Sequence, residues 1–286
     1  MKVLVTGVKG QLGYDVVKEL TSRGHTAIGV DIDEMDITDS NSVNDVITHT
    51  NPNAVIHCAA WTAVDLAEYD ENIPKVEAVN AYGTKNIAQV CKNIDCKMVY
   101  ISTDYVFDGQ GTEPWQPDCK EYAPLNVYGR TKLDGELAVS RIMDKYFIVR
   151  IAWVFGKNGN NFIKTMLRVG KAHDRVTVVN DQIGTPTYTG DLARLLADMV
   201  ETEKYGYYHA TNEGGYISWY DFAKEIFKQA GYSTEVVPVT TAEYGLSKAK
   251  RPFNSRLDKS KLAEAGFKPL PTWQDALTRY LEEIDY

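Results

Sequence analysis

Short apolar runs alternate with segments whose apolar positions recur every three or four residues, and this alternation carries through the first half of the chain. KVLVTG (2–7) is a β-branched run that stops at Gly7. Residues 11–24 follow with Leu12, Val16, Val17 and Leu20 at helical spacing and Gly24 at the end. TAIGVD (26–31) reads as a second strand. Residues 40–52 read as a helix, with Ser40 as its cap and Pro52 beyond its end. AVIHCAA (54–60) reads as a third strand, 74–94 as one long helix and KMVYIST (97–103) as a fourth strand. A helix is expected from Pro124 to about 144, and a strand over YFIVRIAWVFG (146–156).

Strand–helix alternation with short connections predicts an α/β fold, a doubly wound parallel sheet of Rossmann type with helices on both faces. After Gly156 the pattern loosens. Helices are expected at 159–172, 189–203, 218–230 and 272–284, and short strands near 176–179, 206–210 and 235–238. This divides the chain into a dinucleotide-binding domain over 1–156 and a smaller, intertwined substrate lobe over 157–286, some of whose segments return to the first domain. No repeat or low-complexity tract interrupts either part.

Composition narrows the function. With 286 residues and 44% hydrophobic content the chain can bury a core. A net charge of -8 argues against a nucleic-acid groove. The four cysteines and five histidines fit neither a zinc-site spacing nor a disulfide framework, which is the usage of reduced thiols in a cytoplasmic protein. No signal segment or membrane-spanning run is apparent.

TGVKGQLG (6–13) sets Gly7, Gly10 and Gly13 between the first strand and the first helix, with Gln11 and Leu12 inside the turn. Glycine lets backbone approach a pyrophosphate, and the helix N-terminus behind it offers free N–H groups. Asp31 ends the second strand, where a carboxylate accepts hydrogen bonds from ribose hydroxyls and repels a 2′-phosphate. NAD(H) is therefore the preferred cofactor, with NADP(H) the alternative. Asp36 and Ile37 beyond that strand, and Cys58, Ala59, Ala60 and Thr62 at the third strand end, complete the expected cofactor contacts.

PLNVYGRTKLDGE (124–136) carries Tyr128 and Lys132 four residues apart, on one face of a helix. The strand before it ends in Ser102, Thr103, Asp104 and Tyr105. Hydride addition to a carbonyl leaves negative charge on oxygen, which needs a hydrogen bond and a proton. Tyr128 can give both, an ammonium one turn away would lower its pKa, and Thr103 can donate a second bond. A lone Tyr-x-x-x-Lys is common on solvated helices. Its company here, a glycine turn and a hydroxyl-bearing strand end, gives it weight.

Taken together these residues resemble the extended short-chain dehydrogenase/reductases. TAVDLAE (62–68), STDYVFDG (102–109), PLNVYGRTKLDGE (124–136), NDQIGTPT (180–187) and RPFNSRLD (251–258) are similar, in order and spacing, to the dTDP-4-dehydrorhamnose reductase branch. The resemblance implies reduction of the C4 ketone of a dTDP-linked 4-keto-6-deoxy sugar, with Thr103, Tyr128 and Lys132 catalytic. It also implies a sugar-nucleotide site drawing on Asp104, Tyr105, Trp153, Asn161, Arg251 and Arg256. Some members form a magnesium-bridged dimer through acidic side chains. Asp15 stands on the first helix, but no second acidic ligand can be placed, so no catalytic metal is expected and a homodimer stays open. Two other readings stay open as well: a non-catalytic nucleotide-binding subunit resembling the methionine adenosyltransferase β subunit, and an epimerase or dehydratase. Asp104–Tyr105 lacks the Asp–Glu pair that a dehydratase normally carries after its hydroxyl residue.

Overall fold

The computed structural model describes residues 1–286. Five strands open the fold in the expected order: β1 (Lys2–Thr6), β2 (Thr26–Val30), β3 (Ala54–His57), β4 (Lys97–Thr103) and β5 (Tyr146–Ile151). They pair in parallel in the order β2-β1-β3-β4-β5, and a sixth parallel strand, Gly206–His209, closes the sheet beside β5. The order reverses at β1, so the crevice between the carboxyl ends of β1 and β3 is the switch point where doubly wound sheets bind ligands.

Both faces of the sheet are covered. Helices α1 (Gln11–Ser22) and Thr189–Val200 pack on one face around Val3, Val5, Val99 and Val149. Helices α2 (Ser40–Thr50), Thr84–Asn93 and Val127–Ile142 cover the other, around Leu4, Val55, Met98 and Ile148. Strands β1, β3, β4 and β5 are buried on both sides, which is why they read as continuous apolar runs, while β2 at the sheet edge is partly exposed. A third core, built on Phe155, Phe222, Phe227, Trp273 and Tyr280, lies among helices after residue 155. The later half of the chain thus serves both bodies: it supplies a strand and a helix to the sheet and also builds this separate core. No helix is long and apolar enough to cross a membrane.

Four local expectations change. Helix α2 is capped by Asp39, whose carboxylate accepts from Asn41 N, rather than by Ser40. The helix expected at 74–94 is not continuous. It runs Ile73–Glu77, widens into a π-turn over Ala78–Gly83 and resumes as Thr84–Asn93. The wide turn faces Asn80 inward, where its amide bonds the N–H and C=O of Trp61 and the Thr131 hydroxyl. The tyrosine helix begins at Val127, not Pro124, because Asn126 supplies an acceptor to Gly129 N that proline cannot. The strand 146–156 breaks at Trp153, which takes a left-handed φ of 52°. Val154–Phe155 then leaves the central sheet and pairs with Thr187–Tyr188.

Candidate active site

One cleft of about 1180 Å³ opens across the carboxyl edge of the sheet. Its floor is the glycine turn. Gly7 has φ 70°, and a β-carbon there would lie 2.8 Å from the backbone of Ala59. A β-carbon on Gly13 would overlap the Gly7 carbonyl. The N-terminus of α1 has no side-chain cap and no acidic residue in its first turn, so its free N–H groups and partial positive charge are left for an anion. Beneath the turn, Thr6 Oγ1 accepts from the N–H groups of Cys58 and Ala59 (both 3.1 Å). Its proton is then donated to His57 Nδ1 at 2.8 Å. His57 Nε2–H in turn donates to Thr84 Oγ1 at 3.1 Å, and that hydroxyl donates to Asn80 O at 2.7 Å. Burial, and then the nearby Lys132 charge, push the His57 imidazole down to about 3, so the ring is neutral. This relay locks β1, β3 and the π-turn together under the cleft.

Asp31 stands at one end of the cleft. Its carboxylate accepts from Lys9 N and Ile32 N at 3.0 Å each, while Lys9 Nζ pairs with Asp33. Asp36, Ile37, Cys58, Ala59, Ala60 and Thr62 line the same wall, as do Gln11 and Leu12. These residues fit a dinucleotide: a turn a β-carbon would fill, a free helix N-terminus, and a carboxylate lining the same cleft at the end of β2.

At the other end, β4 delivers Thr103 and α5 (Val127–Ile142) delivers Tyr128 and Lys132. Asn126 anchors the start of this helix, and Glu68 accepts from Val127 N at 2.7 Å. Thr103 Oγ1 accepts from Tyr105 N and donates to Asp104 Oδ1 at 2.9 Å. Asp104 Oδ2 is buried without a hydrogen-bond partner. Burial pushes the Asp104 carboxyl up to about 6, against the Thr103 and Ser255 hydroxyls beside it. The Tyr105 and Tyr128 rings meet edge to face at 5.6 Å.

Tyr128 and Lys132 line the same cleft. Burial and then the Asp104 charge raise the Tyr128 pKa, and only the Thr103 hydroxyl works against them. Lys132 Nζ rests 4.2 Å above the Tyr100 ring. Burial pushes Lys132 down to about 7, with Glu136 opposing. The residue is 2% exposed, lines the cleft and makes no hydrogen bond within the protein, so its N–H donors remain free.

The remaining expected positions fall unevenly. Trp153 lines the cleft and stacks on Trp219 at 3.8 Å, and Gly184 of NDQIGTPT leaves room for its ring. Arg251 reaches the cleft but is held by Asp65 at 2.7 and 3.1 Å. Asn161 lines it too, yet its amide is spent on Gln11, Gly156 and Tyr280 and on capping the helix Phe162–Ala172. Arg256 does not line the cleft: its guanidinium bonds Asn254 Oδ1, two residues away. Sequence reasoning missed Trp61 and Trp219 on the cleft wall and Asn80 behind it. Only Asn80 carried a signal, an amide set among Ala78, Val79 and Ala81 in the expected helix.

A doubly wound parallel sheet whose glycine turn, acidic strand end and Tyr–Lys helix open on one cleft defines the extended short-chain dehydrogenase/reductase class. Within it the chain belongs to the RmlD substrate binding domain family, whose model matches residues 1–286. It is 41% identical to the dTDP-4-dehydrorhamnose reductase of Aggregatibacter actinomycetemcomitans, over 96% of this chain and 97% of that one. The crystal structure of a dTDP-4-dehydrorhamnose reductase from Clostridium acetobutylicum superimposes with a TM-score of 0.94 at 43% identity, covering 99% of each chain. That of the Bacillus anthracis enzyme, in complex with NADP, does so with a TM-score of 0.94 at 41% identity and the same coverage.

Proposed function

We propose that this chain reduces the C4 ketone of dTDP-4-dehydro-L-rhamnose to the alcohol of dTDP-L-rhamnose, using NADH or NADPH. The observation that carries this reading is the single cleft in which the glycine turn and the free ammonium of Lys132 meet Thr103 and Tyr128. The similarity to named reductases over nearly the full chain supports the sugar nucleotide.

A bound reduced nicotinamide supplies the hydride. The chain does the rest. The keto oxygen takes a hydrogen bond from Thr103, whose hydroxyl must turn from Asp104 toward the substrate, and a second from Tyr128. As C4 gains hydride and the carbonyl pair moves onto oxygen, Tyr128 transfers its proton there and becomes a phenolate. The high pKa that burial gives the phenol keeps it protonated until that moment. Lys132 holds the nicotinamide ribose with its free donors, and its charge one helical turn away stabilises the phenolate as it forms. The unpartnered Asp104 Oδ2 accepts a sugar hydroxyl. Trp153 offers a ring to the sugar face and Arg251 a charge to the diphosphate, once Asp65 releases it. Residues 157–286 then serve mainly the sugar nucleotide, and 1–156 the cofactor. Four free cysteines suit a cytoplasmic reaction.

The test is direct. Purified protein is mixed with NADH or NADPH and dTDP-4-dehydro-L-rhamnose, and loss of reduced-dinucleotide absorbance is followed alongside product stereochemistry. Oxidation of the dinucleotide with formation of dTDP-L-rhamnose is expected. Dinucleotide binding with no turnover would return the non-catalytic subunit reading to first place.

A further inference from the structure

Glu136 stands one helical turn beyond Lys132 on α5, so Tyr128, Lys132 and Glu136 fall four apart along one face. Glu136 and Arg150 both have wholly buried side chains. Arg150 reaches Glu136 with two bonds of 2.8 Å, from Nε to Oε1 and from Nη2 to Oε2. Its remaining donors go to Pro117 O and the Tyr122 hydroxyl, both at 3.1 Å, and to His209 Nε2 at 3.4 Å. The carboxylate therefore cannot swing.

The helix cannot shift either. A β-carbon on Gly135 would overlap the Tyr100 hydroxyl, which donates to Lys132 O at 3.1 Å. A buried ion pair of this kind is a weak source of stability, since its desolvation cost offsets most of its attraction. Its position behind Lys132 gives it another use.

We propose that the Glu136–Arg150 pair sets the charge state of Lys132: the fixed carboxylate supplies the field that keeps the ammonium charged in a dry site, and the guanidinium limits that field. This inference rests on the reading of Lys132 as the cation that holds the nicotinamide ribose; Glu136 and Arg150 are positioning residues behind it. The groups facing Lys132 are few. Tyr128 and Glu136 share its helix, His57 and Cys58 come from β3, and Tyr100 comes from β4. Arg150 from β5 stands behind Glu136. His57 is neutral, the Cys58 thiol is pushed up to about 12 by burial, and the two phenols are neutral. Glu136 is the one carboxylate that acts on Lys132. An ammonium removed from water shifts toward its neutral form unless a negative charge opposes that shift.

Three variants separate the two charges. Lysine carrying carbon-13 is incorporated into the intact protein, and the Lys132 signal is assigned by its absence in Lys132→Met. Its titration midpoint is then followed by NMR. In Glu136→Gln, which leaves Arg150 charged and unbalanced, the midpoint should fall by about one pH unit or more. In Glu136→Gln with Arg150→Met it should fall less, because the opposing cation is gone too. This double variant also guards against misfolding of the single one. NADH affinity, read by fluorescence quenching, should follow the charged fraction, weakening by about tenfold per pH unit above each midpoint. Midpoints unchanged in both variants, or equal in both, would overturn the inference and leave Lys132 as the ribose ligand. Midpoints that move as expected without any change in NADH affinity would uphold the charge-setting pair and overturn that reading of Lys132.

Discussion

The α-carbon of Gly129 lies against the backbone carbonyl of Tyr105, so closely that a β-carbon would overlap its oxygen. This contact sets the distance between the residue after Tyr128 and the strand end that carries Thr103. It also explains a glycine in the first turn of a helix, where alanine would otherwise be preferred. Gly129→Ala must push α5 outward, and Tyr128 moves with it. Turnover is expected to fall by about tenfold or more, since small misplacements of reacting groups are costly. NADH affinity should fall less than turnover, because the glycine turn is untouched and only the Lys132 contact moves with α5. Steady-state kinetics paired with cofactor titration would check this; normal turnover in a folded variant would show that the Tyr105 contact does not fix the phenol.

Removing the phenolic proton is the sharper test of the chemistry. Tyr128→Phe keeps the edge-to-face contact with Tyr105. A loss in turnover on the order of 10²-fold or more is expected, with NADH affinity close to that of the unmodified protein. Single-turnover measurements would locate the loss in the chemical step. Wild-type turnover would remove Tyr128 from the mechanism.

Burying Lys132 carries a stability cost. Burial takes its pKa from 10.5 down to about 7. Between those two pH values the unfolded chain holds a proton that the folded chain does not, so stability rises with pH through that window. The cost is fully present at pH 7 and below, and it vanishes above pH 10.5. Lys132→Met should therefore stabilise the protein at neutral pH by about 1 kcal/mol or more, with the gain shrinking toward pH 10. Its NADH binding should weaken. Urea unfolding at the two pH values would test the sign; a destabilised variant at pH 7 would contradict it.

Asp31 is expected to discriminate between the two dinucleotides. Its carboxylate is held in place by Lys9 N and Ile32 N at the end of β2. A 2′-phosphate there meets a fixed negative charge, while free ribose hydroxyls meet an acceptor. Asp31→Asn should shift the affinity ratio toward NADPH by about tenfold, with NADH binding weakened. Calorimetric titration with both cofactors measures the ratio directly. An unchanged ratio would place the discrimination elsewhere, with Lys9 beside it the next residue to vary.

The chain's own pattern determined the sheet and most of the cleft. A strand buried on both faces must be apolar throughout, so β1, β3, β4 and β5 could be read directly, and the glycine turn followed because close backbone approach admits no other residue. Tyr128 and Lys132 were legible because helical spacing puts them on one face. Tertiary structure decided where those side chains go. Lys132 rests its ammonium over the Tyr100 ring with Glu136 one turn further along the helix, because a buried ammonium seeks an aromatic face and a carboxylate, and the carboxylate's position depends on Arg150 from a different strand. Asn161 and Arg256 looked like ligands of a nucleotide, yet their polar atoms are bonded to the chain itself, to Gln11 and Tyr280 in one case and to Asn254 in the other. The break at Trp153 and the π-turn at Asn80 were hidden for a like reason: each is fixed by partners distant in sequence, Thr187 and Trp219 for one, Trp61 and Thr131 for the other. Periodicity reports the face a residue presents, but not which remote group will meet it there.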